Sequence, residues 1–257
     1  MRFLVLAGVL SALATPTWSD VLPAAATVAN CALGGTVVTD PSACSFGGGS
    51  ASASLSPFVG IQAGASGFGQ ANGAVAQAKY AFEVVGGNPG DVVPVDIVVD
   101  LRTAASVNGL DDIGGGIADA FADINVLNHG QSILDKCAST DRINRDLCGV
   151  ASFSGAIAIT AMSGDLSNQL QLRAIAGTGP DSFGDSLSAS AFADPSIFVD
   201  PAFPGAGQYS IVLSPGVGNG IASTVPEPTT LVPLGAILAL FLLLGLRSGK
   251  SSPGSRS

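Results

Sequence analysis

Charge, aromatic rings and histidine are all scarce in this sequence. Charged residues make up 11% of the 257 and aromatics 6%, and the one histidine is His129. These shortages exclude much. A disordered acidic chain would carry more charge and fewer apolar residues. A lone histidine beside Gly130, in a polar stretch, reads as a solvated side chain rather than a catalytic base. No G-x-S-x-G elbow accompanies it. Neither H-E-x-x-H nor a Walker sequence is present. The glycine-rich stretch 216–220 precedes no helical pattern, so it does not read as a phosphate loop. The single tryptophan, Trp18, lies in the N-terminal segment, and Tyr80 and Tyr209 alternate with inward apolar residues. An aromatic platform for sugars therefore has little support in the sequence. The chain reads as a non-enzyme.

Basic residues are few as well. The net charge is −9. Between residues 27 and 222 six basic residues stand against seventeen acids, a balance of −11. Nucleic acid is excluded as a partner, because binding it needs a basic surface. The acids are nearly all Asp, which favours turns over helix interiors. Asp111-Asp112, Asp119 with Asp123, and Asp96 with Asp100 could hold a hard cation such as calcium through oxygens. Two such carboxylates could also hydrolyse a glycoside. None matches D-x-[DN]-x-[DN]-G with a distal Glu. The expectation is no cofactor and no metal, with calcium as the alternative.

What is abundant is glycine, alanine and serine in alternation. Ala74, Ala76, Ala78, Tyr80, Phe82 and Val84 share one face of a period-two pattern, with Gln77, Lys79 and Glu83 on the other. Val93, Val95, Ile97, Val99 and Leu101 repeat it, and Pro94 suggests an edge strand or a strand start. The turn-like stretch 86–91 between them predicts a hairpin. Residues 109–126 admit a helix through Ile113, Ile117, Phe121 and Ile124 or a strand through Ala118, Ala120, Ala122, Ile124 and Val126, and the glycines at 114–116 favour the strand. Residues 152–162, 169–176, 186–193, 197–199 and 209–213 complete the alternating set. Residues 31–49 read as a tethered hairpin with an edge strand at Val37-Val38. Residues 60–73 read as weakly structured and 128–149 as a polar insertion. The fold class expected is all-β, an antiparallel β-sandwich or jelly roll of about eight or nine strands. A β-solenoid is the alternative. The four cysteines, Cys31, Cys44, Cys137 and Cys148, admit three pairings. Nearness in the chain predicts Cys31 with Cys44 and Cys137 with Cys148. A four-cysteine zinc site would need closer-spaced pairs.

Both ends look like processing segments. Residues 1–19 carry one positive charge at Arg2, an apolar run from Phe3 to Leu13, and small residues. That is a cleavable secretory signal peptide, with the cut between 14 and 26, and it places the cysteines in an oxidising space. The body spans 27–222, long enough for one domain. Residues 223–257 form a second device. Val225-Pro226-Glu227-Pro228 precedes an apolar run from Leu231 to Leu246, and Arg247, Lys250 and Arg256 follow without an acid. At 1.5 Å per residue the run reaches roughly 24 Å, a short transmembrane helix against a hydrocarbon core of about 30 Å. The basic tail predicts a cytoplasmic C-terminus and an exterior body.

Motif, helix and basic tail together resemble the PEP-CTERM sorting signal of exported proteins of Gram-negative bacteria. The resemblance reaches upstream through Tyr80-Ala-Phe-Glu-Val-Val-Gly86, 189–195, 197–201 and 209–219, segments similar to those common in such proteins. One departure is visible: the basic residues are spaced out, where family members usually end in a tight arginine cluster. The resemblance implies recognition by exosortase, a membrane transpeptidase-like protease, with cleavage near Val225–Pro228. It further implies transient anchoring in the inner membrane, then release to the cell envelope or exopolysaccharide matrix. The function this suggests is that of a structural or adhesive surface or biofilm-matrix protein with exopolysaccharide as a further partner. A calcium- or carbohydrate-binding module is the alternative, and an extracellular hydrolase comes third.

Overall fold

The computed structural model describes residues 21–68, 71–108, 117–140, 148–179 and 186–219. The expected signal peptide, the 225–228 motif, the 231–246 helix, Arg247, Lys250 and Arg256 lie outside these residues, as do Asp111 and Asp112. Among the described residues no helix is long and apolar enough to cross a membrane.

Among the described residues the body is an all-β antiparallel sandwich of thirteen strands in two sheets. The first sheet runs β2 (Thr36–Asp40), β1 (Ala26–Leu33), β6 (Asn72–Gly86), β11 (Gln169–Thr178), β8 (Ala118–Asn128), β9 (Gln131–Ser139), with β13 (Tyr209–Leu213) also on β6. The second runs β10 (Ser152–Met162), β7 (Val92–Asn108), β12 (Ser186–Val199), β5 (Gly60–Phe68), β4 (Gly49–Ser54), β3 (Ala43–Phe46). Inward residues fall where the alternation puts them. Phe82, Val84, Val93, Val95, Ile97 and Leu101 are fully buried, because successive side chains of a strand point to opposite faces.

The core is graded along the strands. At one end alanine meets alanine: Ala76 lies opposite Ala174, and Ala174 opposite Ala122. At the other end Tyr80 lies opposite Leu170, and Leu170 opposite Val126. The alanine end has little apolar surface to bury. There the Cys31–Cys44 disulfide joins β1 of one sheet to β3 of the other, with Cys31 completely buried. Cys137–Cys148 ties β9 to the chain just ahead of β10. Both disulfides are the pairs expected.

Several expectations are corrected. The hairpin predicted from 74–85 and 92–102 does not form: β6 pairs with β1, β11 and β13, whereas β7 pairs with β10 and β12. Both strands carry a fully apolar face, and each buries it against the opposite sheet, β6 against β4 and β5 and β7 against β8 and β9. Gly86, Gly87 and Gly90 all have positive φ, which lets the connection turn between sheets. The strand count rises because β5 occupies the stretch read as weakly structured. Its small residues Ala63 and Ala65 pair with Ala191 and Ala189. The polar insertion contains β9, which returns from β8 through a two-residue turn at His129 (φ 48°) and Gly130 (φ 77°). The 31–49 segment is not one hairpin, since β1 and β2 lie in one sheet and β3 and β4 in the other; Val37 and Val38 do sit on an edge strand.

Proline placement explains two further differences. Pro94 starts β7 but does not mark an edge, since β7 lies between β10 and β12. Its carbonyl accepts from the Asp200 amide just past the end of β12. In an antiparallel pair one residue's N–H and C=O face the same neighbour, so the missing N–H falls where β12 has already ended. Pro195 does not break β12, which pairs with β7 from Ser186 to Val199. Its other edge is free of β5 beyond Ala193. There the Asn219 side chain substitutes for a strand, accepting from the Ile197 amide (2.8 Å) and donating to the Ile197 carbonyl (2.5 Å).

Candidate functional site

The outward faces of the two sheets carry the polar chemistry, and both are organised around the same arrangement. On the six-stranded sheet Arg102 pairs with Asp100 and lies over the Phe192 ring, 5.6 Å from its centroid. On the seven-stranded sheet Arg173 pairs with Asp123 at 2.6 Å and lies over Phe121 at 5.0 Å. Strand register produces both. Arg102 sits directly opposite Phe192, and Arg173 directly opposite Asp123.

The larger depression crosses the six-stranded sheet. Pairing places Ser152, Arg102, Phe192, Gln62 and Ser52 in one transverse row. The neighbouring row is small: Ala104, Ser190, Gly64 and Ser50. The step between rows leaves a groove of ≈ 940 Å³. The groove on the other face, ≈ 490 Å³, is lined by Gln77, Lys79, Asp123, Asn125, Gln171 and Arg173 among others. Hydroxyls, amides, one guanidinium and a ring edge make the first groove able to hydrogen-bond and stack on a polyhydroxylated ligand.

The two acidic pairs within the described residues are not brought together. Asp96 and Asp100, like Asp119 and Asp123, are four residues apart on one strand, roughly 13 Å at about 3.3 Å per residue. A cation cannot bridge that distance. The register instead sets Asp100 opposite Asp194. Burial, with Asp100 adding to it against Arg102, holds the Asp194 carboxyl above the usual range. Burial and then Asp200 do the same for Asp96. Burial also raises Asp123, although Arg173 opposes it. Among the described residues no three His, Cys, Asp or Glu converge closely enough to hold a metal ion.

The tyrosines lie where alternation put them. Tyr80 is buried, and burial pushes its hydroxyl far upward. Tyr209 is half-buried against Phe203 and donates to Asp91 at 2.8 Å. The outward ring was missed. Phe192 follows from parity alone, because Ala189, Ala191 and Ala193 face inward. His129 occupies the β8–β9 turn and joins no cluster.

No family model matches the chain, and no curated protein does. Among solved structures it is similar to TmCBM61 in complex with beta-1,4-galactotriose. The match has 8% identity, covers 55% of this chain and 71% of that one, and gives a TM-score of 0.20. At that score the likeness decides neither topology nor ligand.

Proposed function

We propose that this chain is an exported structural or adhesive protein of the cell surface or biofilm matrix. It is non-catalytic and is routed to exosortase by Val225–Pro228 and the apolar run that follows. The observation that carries the reading is the pair of closed disulfides in a small-residue sandwich. Disulfides of this kind persist in oxidising, extracytoplasmic spaces. The spacing of Asp96 from Asp100 and of Asp119 from Asp123 along their strands, roughly 13 Å, supports a role without hydrolysis. Substituting Pro226, Glu227 and Pro228 by Ala should leave the protein in the membrane fraction with its tail attached. Unchanged release to the matrix would sink the sorting half of the reading.

The groove on the six-stranded sheet favours a second reading, a glycan-binding module. Its occupant would be a neutral or weakly charged polysaccharide stacking beside Phe192 and hydrogen-bonding Gln62 and Arg102. Binding to purified matrix polysaccharide should saturate and should weaken at least tenfold in Phe192→Ala. A retention unaffected by that change would remove the groove from the account.

A further inference from the structure

Sheet edges expose unpaired N–H and C=O groups, and folded proteins shield them with short strands, charges, prolines or bulges. Four edges here are shielded. β2 has five residues and ends in Asp40; β3 has four and is held by Cys44; β13 has five. β9 carries Asp135 and Lys136, faces a register irregularity at Val126/Leu127, and is tied by Cys137. β10 differs from all of them. It runs eleven residues, Ser-Phe-Ser-Gly-Ala-Ile-Ala-Ile-Thr-Ala-Met, with no charge and no proline. Among the described residues it pairs with β7 alone.

The direction of its backbone groups can be read from one bond. The Ala151 carbonyl accepts from the Thr103 amide, so odd-numbered residues address β7. Even-numbered residues, from Ser152 to Met162, therefore present N–H and C=O to the open side. Their side chains are all exposed and mostly small. Beside this edge, between β10 and β9, lies a groove of ≈ 470 Å³ in which Val92 (60%), Ile133 (47%) and Met162 (45%) are exposed.

We propose that β10 is a self-association edge whose occupant is β10 of a second copy of this chain. The strands pair antiparallel about a two-fold axis at Ile157. Ala156 then faces the partner's Ala158, and Ser154 the partner's Thr160. The six outward residues of each strand make about twelve hydrogen bonds across the axis, within the range of ordinary protein interfaces. Self-pairing suits this strand because its central residues, Ala156 to Ala158, come close to their own symmetry mates across the axis. A charge near the axis would oppose its own copy, and none is present anywhere in β10. The two six-stranded sheets become one continuous sheet, and the partner's strand covers the exposed apolar groove. The pairing is isologous, so it closes as a dimer instead of propagating as a fibre.

The test uses the oxidised full chain in mild detergent that shields residues 231–246. Sedimentation should show a concentration-dependent dimer. Ala158→Pro removes an outward N–H from each copy while leaving the bonds to β7 intact. It should weaken the dimer about 30-fold, as the loss of two hydrogen bonds requires. Should that variant fail to fold, a charge pair tests the same register. Ala156→Lys with Ala158→Lys sets like charges opposite and should abolish the dimer; Ala156→Lys with Ala158→Glu should restore it. In the wild type the amides of Ala156, Ala158 and Thr160 should become protected from exchange as concentration rises. A monomer at all concentrations overturns the proposal. So does a dimer indifferent to these substitutions, or protection of β10 that appears only on adding an unrelated strand peptide.

Discussion

Removing Cys31–Cys44 should be the most damaging covalent change available to the body. The double substitution Cys31→Ala, Cys44→Ala opens a loop of sequence separation 13, and Cys137→Ala, Cys148→Ala one of separation 11. Loop entropy alone makes each bridge worth about 3 kcal/mol. The structure separates them. Cys31 is fully buried and its bridge crosses between sheets where the core is alanine, so the emptied sulfur volume adds about 1 kcal/mol. Cys137 is half-buried on an edge strand, and its loss frees β9 locally. A total of about 4 kcal/mol corresponds to a drop of roughly 12 °C in a domain of this size. The Cys137–Cys148 change should cost less, and hydrogen exchange should rise mainly in β9. Thermal unfolding followed by circular dichroism measures the order, and exchange measures the spread. If removing Cys137–Cys148 proved the costlier change, or if loss of Cys31–Cys44 loosened β3 alone, the graded-core reasoning would be wrong.

Three further outcomes are expected. The Ser214 hydroxyl donates to the Pro23 carbonyl at 2.6 Å and accepts from the Ala81 amide at 2.8 Å. Ser214→Ala should therefore cost about 1–3 kcal/mol in denaturant unfolding, since it leaves a buried amide unpaired. A Cβ at Gly48 would stand 1.6 Å from the Ser66 carbonyl oxygen. Gly48→Ala should destabilise by about 3 kcal/mol through forced backbone movement, whereas Gly34→Ser, which meets nothing within 4 Å but has φ +54°, should cost less. Burial raises Asp123, so its contribution to stability is full below its unfolded pKa and is lost as pH rises through the folded one. The stability of Asp123→Asn relative to wild type should therefore grow from pH 3 to pH 7. A relative stability that shrank over that range would mean that Arg173, not burial, governs the group.

Two-sheet architecture was legible because alternation is a local signal, and residues 74–84 and 93–101 show it in large side chains. The partner of each strand was not legible. An apolar face specifies burial without saying whether its mate lies beside it or across the core, and β6 and β7 were assigned to one hairpin for that reason. β5 escaped because Gly60, Gly64 and Gly67 hide a strand whose inward residues are Ile61 and two alanines. Both disulfides followed from short chain separation. The acidic pairs misled because four-residue spacing gathers side chains on a helix face but sets them far apart on a strand. The groove on the six-stranded sheet is assembled from six strands, so only Phe192, through its parity, had left a trace in the sequence.

The account stands most directly on the fate of the two ends. Intact-mass and peptide mass spectrometry of the protein recovered from the envelope or matrix of a Gram-negative host carrying exosortase should show both ends trimmed. The N-terminus should lie between residues 14 and 26, and the C-terminus near Val225–Pro228. A recovered chain still ending in Leu231 to Ser257 would contradict sorting by cleavage and make the apolar run a permanent anchor.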